Sequence, residues 1–308
     1  MCHVRSETVI MRDGTQLADR YHAMLDKDSW IVGLDLGERS SGALCFSCWL
    51  ADGSDRITGV HVIETWSRPY IAGDCIAAVH RAVAHASRDL GISPPPHITV
   101  VETDDTVGAL THAAEGAAGL VIGRAARSYD GALVRLGHVA RRLLRSLPGP
   151  VVVVPPDLTA VAPGPVLLAT DLGVATSAAL SFARALAAHH GRALEVVYVG
   201  EARHNDLIDE LDPGWLAARE VHNAEVTRSL DVWMHEHGLD GFSRHVVFGD
   251  PSEQISRTAV QCGAALVVVG SRRLGAGTRL FLSSTASALA GVAKCPVAVV
   301  PPLVDARA

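Results

Sequence analysis

The chain lacks any apolar run long enough to cross a membrane; its longest hydrophobic stretches fall far short of the roughly 20 residues that a spanning helix needs. Its first 28 residues carry Arg5, Arg12, Asp13, Asp19 and Arg20 among the apolar positions, which breaks up the continuous core of a signal peptide. The expectation is a cytoplasmic protein. Excess positive charge is also missing: the net charge of −6 gives no electrostatic footprint for nucleic acid or an anionic membrane. Six cysteines scattered over 308 residues make no disulfide framework and read as reduced, packed thiols. Most enzyme signatures are absent too: no Walker loop, no nucleophile elbow and no HExxH motif occur. No side chain presents itself as a catalytic base, so the sequence points away from an enzyme, with slow ATP hydrolysis the most it suggests.

What is present is a repeat. Trp30 to Leu34, Asp35-Leu36-Gly37 and Ser40 to Leu50 read as strand, turn and helix, and the same grammar returns at Val166 to Thr170, Asp171-Leu172-Gly173 and Thr176 to Ala188. Asp35 and Asp171 lie 136 positions apart, and the same offset pairs Phe46 with Phe182. Fourth strands ending at Gly123 and Gly270 match at an offset of 147, so the second unit carries extra residues, placed in the polar stretch Glu201 to Trp215. Both units close on an apolar strand flanked by prolines, Val151 to Val154 and Val297 to Val300.

Short continuous apolar strands alternating with helices predict an α/β fold with open, doubly wound parallel sheets, whose ligand sites lie beyond the carboxyl ends of the strands. The organisation read from this is an N-terminal extension, 1–28, with a short helix around Leu17 to Leu25 that packs as an arm; a first unit, 29–157; a linker, 158–164; a second unit, 165–302; and a tail, 303–308. The two apolar closing strands, if at sheet edges, need partners, and pairing them with each other meets that need within one chain.

The most informative stretch is Gly263 to Pro302. A buried strand empties into a Gly, Ser and Thr-rich loop, Gly270 to Thr285, followed by a helical segment and a strand. That is a layout for binding phosphate: glycines let the backbone approach, and free N–H groups at the helix start point at an anion.

This stretch resembles the universal stress protein family, whose signature is glycine, two residues, glycine, nine residues, glycine, then Ser or Thr, closed by a Cys-Pro-Val strand. In this chain the first glycine is Gly270, the second falls on Arg273, the third on Ser283 and the hydroxyl on Ser284, and Cys295-Pro296-Val297 closes the motif. The resemblance implies a tandem member: two five-stranded, Rossmann-like sheets that form an intramolecular pseudo-dimer through antiparallel final strands. It also implies an adenine nucleotide, ATP or AMP, accompanied by Mg²⁺. In the second unit it assigns Asp171 to the ribose or adenine side, the Val199 backbone to adenine, and the loop to the phosphates through Arg272, Arg273, Gly275, Gly277, Ser283, Ser284 and Thr285. In the first unit the corresponding set is Asp35, Val62, Gly123, Gly137 and His138, with Ala126 at the second glycine position and His138 where a hydroxyl is expected. The carboxylates of Glu102-Thr103-Asp104-Asp105 stand where a phosphate would be repelled, so the second unit is the preferred site.

Other clusters have plainer readings. Cys45 and Cys48 form a CxxC, but the repeat places both inside the first helix rather than at the N-terminus that activates such thiols. His189-His190 and His235-Glu236-His237 diverge if they lie on helices, so no metal site is predicted. Two further functions stay open beside a stress-responsive nucleotide sensor: an interaction scaffold of the same fold, and an enzyme acting on a small nucleotide-like ligand. A homodimer of tandem chains also stays open, as does the identity of any protein partner.

Overall fold

The computed structural model describes residues 21, 23, 25, 29–70, 75–124, 136–173, 176–201, 213–273, 280–281 and 284–302, with backbone alone at 38–39, 68–70, 213–215, 272–273, 280–281 and 284. The first unit runs β1 (Trp30–Leu34), α1 (Glu38–Leu50), β2 (Ile57–Ile63), α2 (Cys75–Asp89), β3 (His97–Glu102), α3 (Thr106–Ala113), β4 (Gly119–Gly123), α4 (His138–Ser146) and β5 (Val151–Val154). The second repeats it with β6 (Val166–Thr170), α5 (Thr176–His189), β7 (Leu194–Gly200), α6 (Pro213–Glu236), β8 (Ser243–Phe248), α7 (Pro251–Gln261), β9 (Leu266–Gly270), α8 (Ser284–Val292) and β12 (Val297–Val300). Between β9 and α8 a short antiparallel pair, β10 (Arg272–Arg273) and β11 (Leu280–Phe281), aligns Arg272 with Phe281 and Arg273 with Leu280.

Ten strands form one sheet in the order β3-β2-β1-β4-β5-β12-β9-β6-β7-β8. All neighbours are parallel except the central pair, where β5 and β12 run antiparallel with Val152 opposite Ala298. Each closing strand therefore finds its missing partner in the other unit, and no apolar edge is left at the centre. The two five-stranded sheets of the pseudo-dimer are in this sense one.

Burial follows from the strand sequences. β4, β5, β6, β9 and β12 are apolar almost throughout, as strands covered on both faces must be. One face carries α1, α2, α5 and α6, and its core includes the fully buried, repeat-related Phe46 and Phe182. The other carries α3, α4, α7 and α8 around residues such as Leu143 and Leu289. Both cores draw residues from both units, so neither half has a core of its own. The N-terminal arm joins the first of them: the Tyr21 ring meets Phe182 edge-on at 5.5 Å, Leu25 is buried, and the Arg56 guanidinium donates to the Leu25 carbonyl. Among the described residues no helix is long and apolar enough to cross a membrane.

Candidate functional site

In each unit the strand order places β1 or β6 between neighbours reached by crossovers in opposite directions, the topological switch point at which open α/β sheets hold ligands. In the first unit a cleft of about 340 Å³ opens there. Its walls are the end of β1 (Gly33 to Asp35), Ser40 of α1, the end of β2 (Val60 to Val62), Thr106 and Leu110 of α3, the end of β4 (Ile122 and Gly123), and the start of α4 (Gly137 to Ala140). All five residues assigned to this unit by the sequence, Asp35, Val62, Gly123, Gly137 and His138, come together around it.

The local geometry has a chemical reason. The Asp35 carboxylate closes a tight turn: Oδ1 accepts from the Gly37 N–H at 3.0 Å and from the Ser40 hydroxyl at 2.8 Å, while Ser40 Oγ accepts from the backbone N–H of Asp35 and Leu36. This turn presents Asp35 at the surface of the cleft. His61 Nδ1 donates to the Leu34 carbonyl at 2.7 Å and fixes its ring along the strand ends. On the far side α4 begins at Gly137 with no side-chain cap, so the first N–H groups of the helix lack a side-chain acceptor where they line the cleft. A Cβ built on Gly137 would meet nothing within 4 Å, so the glycine leaves open space at the mouth. Leu110, Ile122 and Ala140 give an apolar floor and the uncapped helix start gives a place for an anion.

Two of the carboxylates expected to oppose phosphate here, Asp104 and Asp105, are engaged elsewhere. Asp104 Oδ1 accepts from the Thr65 N–H at 2.8 Å, and Asp105 caps α3 by accepting from the Gly108 N–H at 3.0 Å. Neither side chain lines the cleft; Thr106, next in the chain, does.

The second unit reproduces the turn. Asp171 Oδ1 accepts from the Gly173 N–H at 2.9 Å and from the Thr176 hydroxyl at 3.0 Å, and Asp171 is exposed. Val199 is half-buried near the end of β7 and Gly270 ends β9, so these three share the carboxyl side of the sheet. Arg272 and Arg273 form strand β10, Ser284 opens α8 and Thr285 follows it, half-buried. Gly275, Gly277 and Ser283 lie outside the described residues. The backbone of β11 lies beside α4 of the first unit, so the loop of one unit reaches the cleft-lining helix of the other.

Sequence reasoning missed Ser40, His61, Thr106 and Leu110 as lining residues. Ser40 carried a visible signal: a hydroxyl five residues after the aspartate recurs at Thr176 after Asp171. The thiol pair behaves as its helix position implies. Cys45 and Cys48 are free and sit within α1; burial raises both thiols, Cys48 to about 11, with Cys45 adding to the rise.

The divergence expected of His189 and His190 does not occur. His189 is the last residue of α5 and His190 lies beyond it, so helical spacing no longer separates them, and both face Asp52 of the first unit.

A model of the universal stress protein family matches this chain twice, over residues 30–155 and 164–301. A universal stress protein of Mycolicibacterium smegmatis is 28% identical over 288 residues, covering 88% of this chain and 96% of the relative. One from Mycobacterium tuberculosis is 30% identical over 166 residues, 53% of this chain and 55% of the relative. Among solved structures, a universal stress protein from Archaeoglobus fulgidus superposes with a TM-score of 0.62 at 20% identity, over 89% of this chain and 98% of that one. With both halves matched by the family model, the chain belongs to the universal stress protein family, as a tandem of two of its units.

Proposed function

We propose that this chain is a cytoplasmic stress-response regulatory module that binds an adenine nucleotide, ATP or AMP, in the cleft of its first unit. The observation that carries the reading is the cleft itself: about 340 Å³ at the switch point, with Asp35 on one side and the uncapped start of α4 on the other. Phosphate oxygens accept hydrogen bonds from the N–H groups of the first turn of α4, and His138 stands at the same place. Asp35 faces the ribose hydroxyls, and the backbone at Val62 with the apolar floor of Leu110 and Ile122 takes the base. Mg²⁺ accompanying the nucleotide offsets phosphate charge; the chain's part is to bind and orient. Emphasis therefore moves from the second unit to the first, while the second unit, with Asp171, Val199 and Gly270 on its carboxyl side, is a further candidate on the same reading.

Calorimetric titration of ATP and AMP, each with and without Mg²⁺, into the wild type, Gly137→Leu and Asp171→Ala tests the proposal. Gly137 has φ of −57°, which any residue adopts, and open space beside it, so leucine there fills the mouth of the cleft with the backbone unchanged. Binding at one nucleotide per chain that Gly137→Leu abolishes supports the reading. Binding lost only in Asp171→Ala moves the site to the second unit. No heat at millimolar nucleotide favours the scaffold reading, in which the fold serves partner contact alone. Turnover well beyond trace hydrolysis favours the enzyme reading.

A further inference from the structure

Where the end of α1 meets the end of α5, three potential ligands from the two units converge. Asp52 Oδ2 lies 2.5 Å from His189 Nε2, and Asp52 Oδ1 lies 3.3 Å from His190 Nδ1. Among the described residues this is the one group of three or more such side chains whose ligand atoms all fall within 4.8 Å of one another. We propose that Asp52, His189 and His190 form a binding site for a late first-row divalent cation, of which Zn²⁺ is the representative, and that the bound ion clamps the two units together.

The donor set selects the ion. Two imidazoles and one carboxylate suit Zn²⁺, Ni²⁺ or Cu²⁺, whereas Mg²⁺ and Ca²⁺ take oxygen ligands. Zinc bonds of about 2.0–2.2 Å place tetrahedral ligand atoms roughly 3.3–3.5 Å apart. The His190 contact already has this spacing, and the His189 contact reaches it once the pair opens by about an ångström. Asp52 is the side chain free to make that movement, at 53% exposed, and it leaves a coordination position open to water; the histidines are fixed at 14% and 5% exposed.

The site is held in shape from outside. The Trp49 indole stacks on the His190 ring at 4.0 Å and sets its plane, and the two imidazoles meet edge-on at 4.8 Å. Asp52 sits at φ of 51°, in the left-handed region that a non-glycine residue adopts at a cost and that recurs at functional positions. Arg56, 3.8 Å from Asp52 Oδ2, and Arg192 bring positive charge to the same place and limit the affinity.

The test uses the untagged full chain, Zn²⁺ in competition with a chromophoric chelator, and the variants Asp52→Asn and His189→Gln. The wild type is expected to bind one Zn²⁺ per chain, and each variant to bind at least about ten-fold more weakly. As a second readout, Ni²⁺ or Cu²⁺ should quench Trp49 fluorescence in the wild type, and the quenched component should vanish in Trp49→Phe. An equivalent site lost from His85→Ala instead, where His85 faces Asp89 at 2.7 Å on the exposed surface of α2, would mark a surface pair as the binder and overturn the proposal. Equal Zn²⁺ binding by wild type and both variants, or no binding by the wild type at 100-fold excess metal, overturns it as well.

Discussion

Leu36 and Leu172 occupy the same left-handed backbone conformation, φ of 60° at each, one residue after the aspartate that closes each first-strand turn. The repeat is thus exact in conformation at a point where leucine is an unfavourable choice, since the left-handed region costs a non-glycine residue roughly 1–2 kcal/mol. Leu36 is 36% exposed and belongs to neither core cluster, so the packing it loses is limited. Leu36→Gly should leave stability unchanged or raise it by up to about 1 kcal/mol, the relief being partly offset by the freer unfolded chain. Leu36→Val should cost about 1 kcal/mol or more, because β-branching is worst there. Urea unfolding of both variants checks this, and a loss above about 1 kcal/mol in Leu36→Gly contradicts it.

The central pair, Val152 opposite Ala298, is fully buried and joins the two halves of the sheet. Because both cores mix residues of both units, the chain should unfold in one calorimetric transition. Val152→Ala should lower that transition, at a cost of roughly 2 kcal/mol for two buried methyl groups and the space they leave. Two separate transitions in the wild type contradict a shared core.

The thiols of α1 offer a chemical check. With Cys48 raised to about 11 by burial and by Cys45, little thiolate exists at pH 8. Alkylation of the folded chain should be slow at that pH and accelerate as the pH rises towards 11. Mass spectrometry after mild oxidation should find no Cys45–Cys48 disulfide. Rapid labelling at neutral pH would show the pair to be reactive.

Asp250 caps α7, accepting from the Glu253 N–H at 2.9 Å and from the Ser252 hydroxyl at 2.6 Å, with Pro251 in the first turn. These bonds, that from Ser252 foremost, hold its carboxyl below the usual 3.8. A depressed carboxylate stabilises the fold above its unfolded pKa, so the contribution is complete at neutral pH and fades as the pH falls below about 3.8. Asp250→Ala should cost about 1 kcal/mol at pH 7 and less at pH 2. An equal cost at both values contradicts the assignment.

The repeat and the strands were legible because they rest on local apolar runs and turn residues at fixed offsets, whereas the antiparallel direction of the seam came from the family resemblance. Phe46 and Phe182, paired by position, are both buried, and Gly123 and Gly270 both end fourth strands. The site was read less completely. Counting glycines against a motif favoured the second unit, whereas the cleft of the first depends on side chains such as Leu110 and His61, whose convergence is set by the sheet order rather than by spacing. Asp52 meets His189 across 137 positions and two units, a contact that no local pattern announces. Tyr21 on Phe182 is another of the same kind.

The most direct measurement is native mass spectrometry of the freshly purified, untagged chain with added ATP, comparing the wild type with Gly137→Leu. A single nucleotide adduct on the wild type, absent from a Gly137→Leu chain of unchanged thermal stability, is the predicted result. The bare mass of the wild type at millimolar ATP, or an adduct that Gly137→Leu retains in full, would contradict a nucleotide cleft in the first unit.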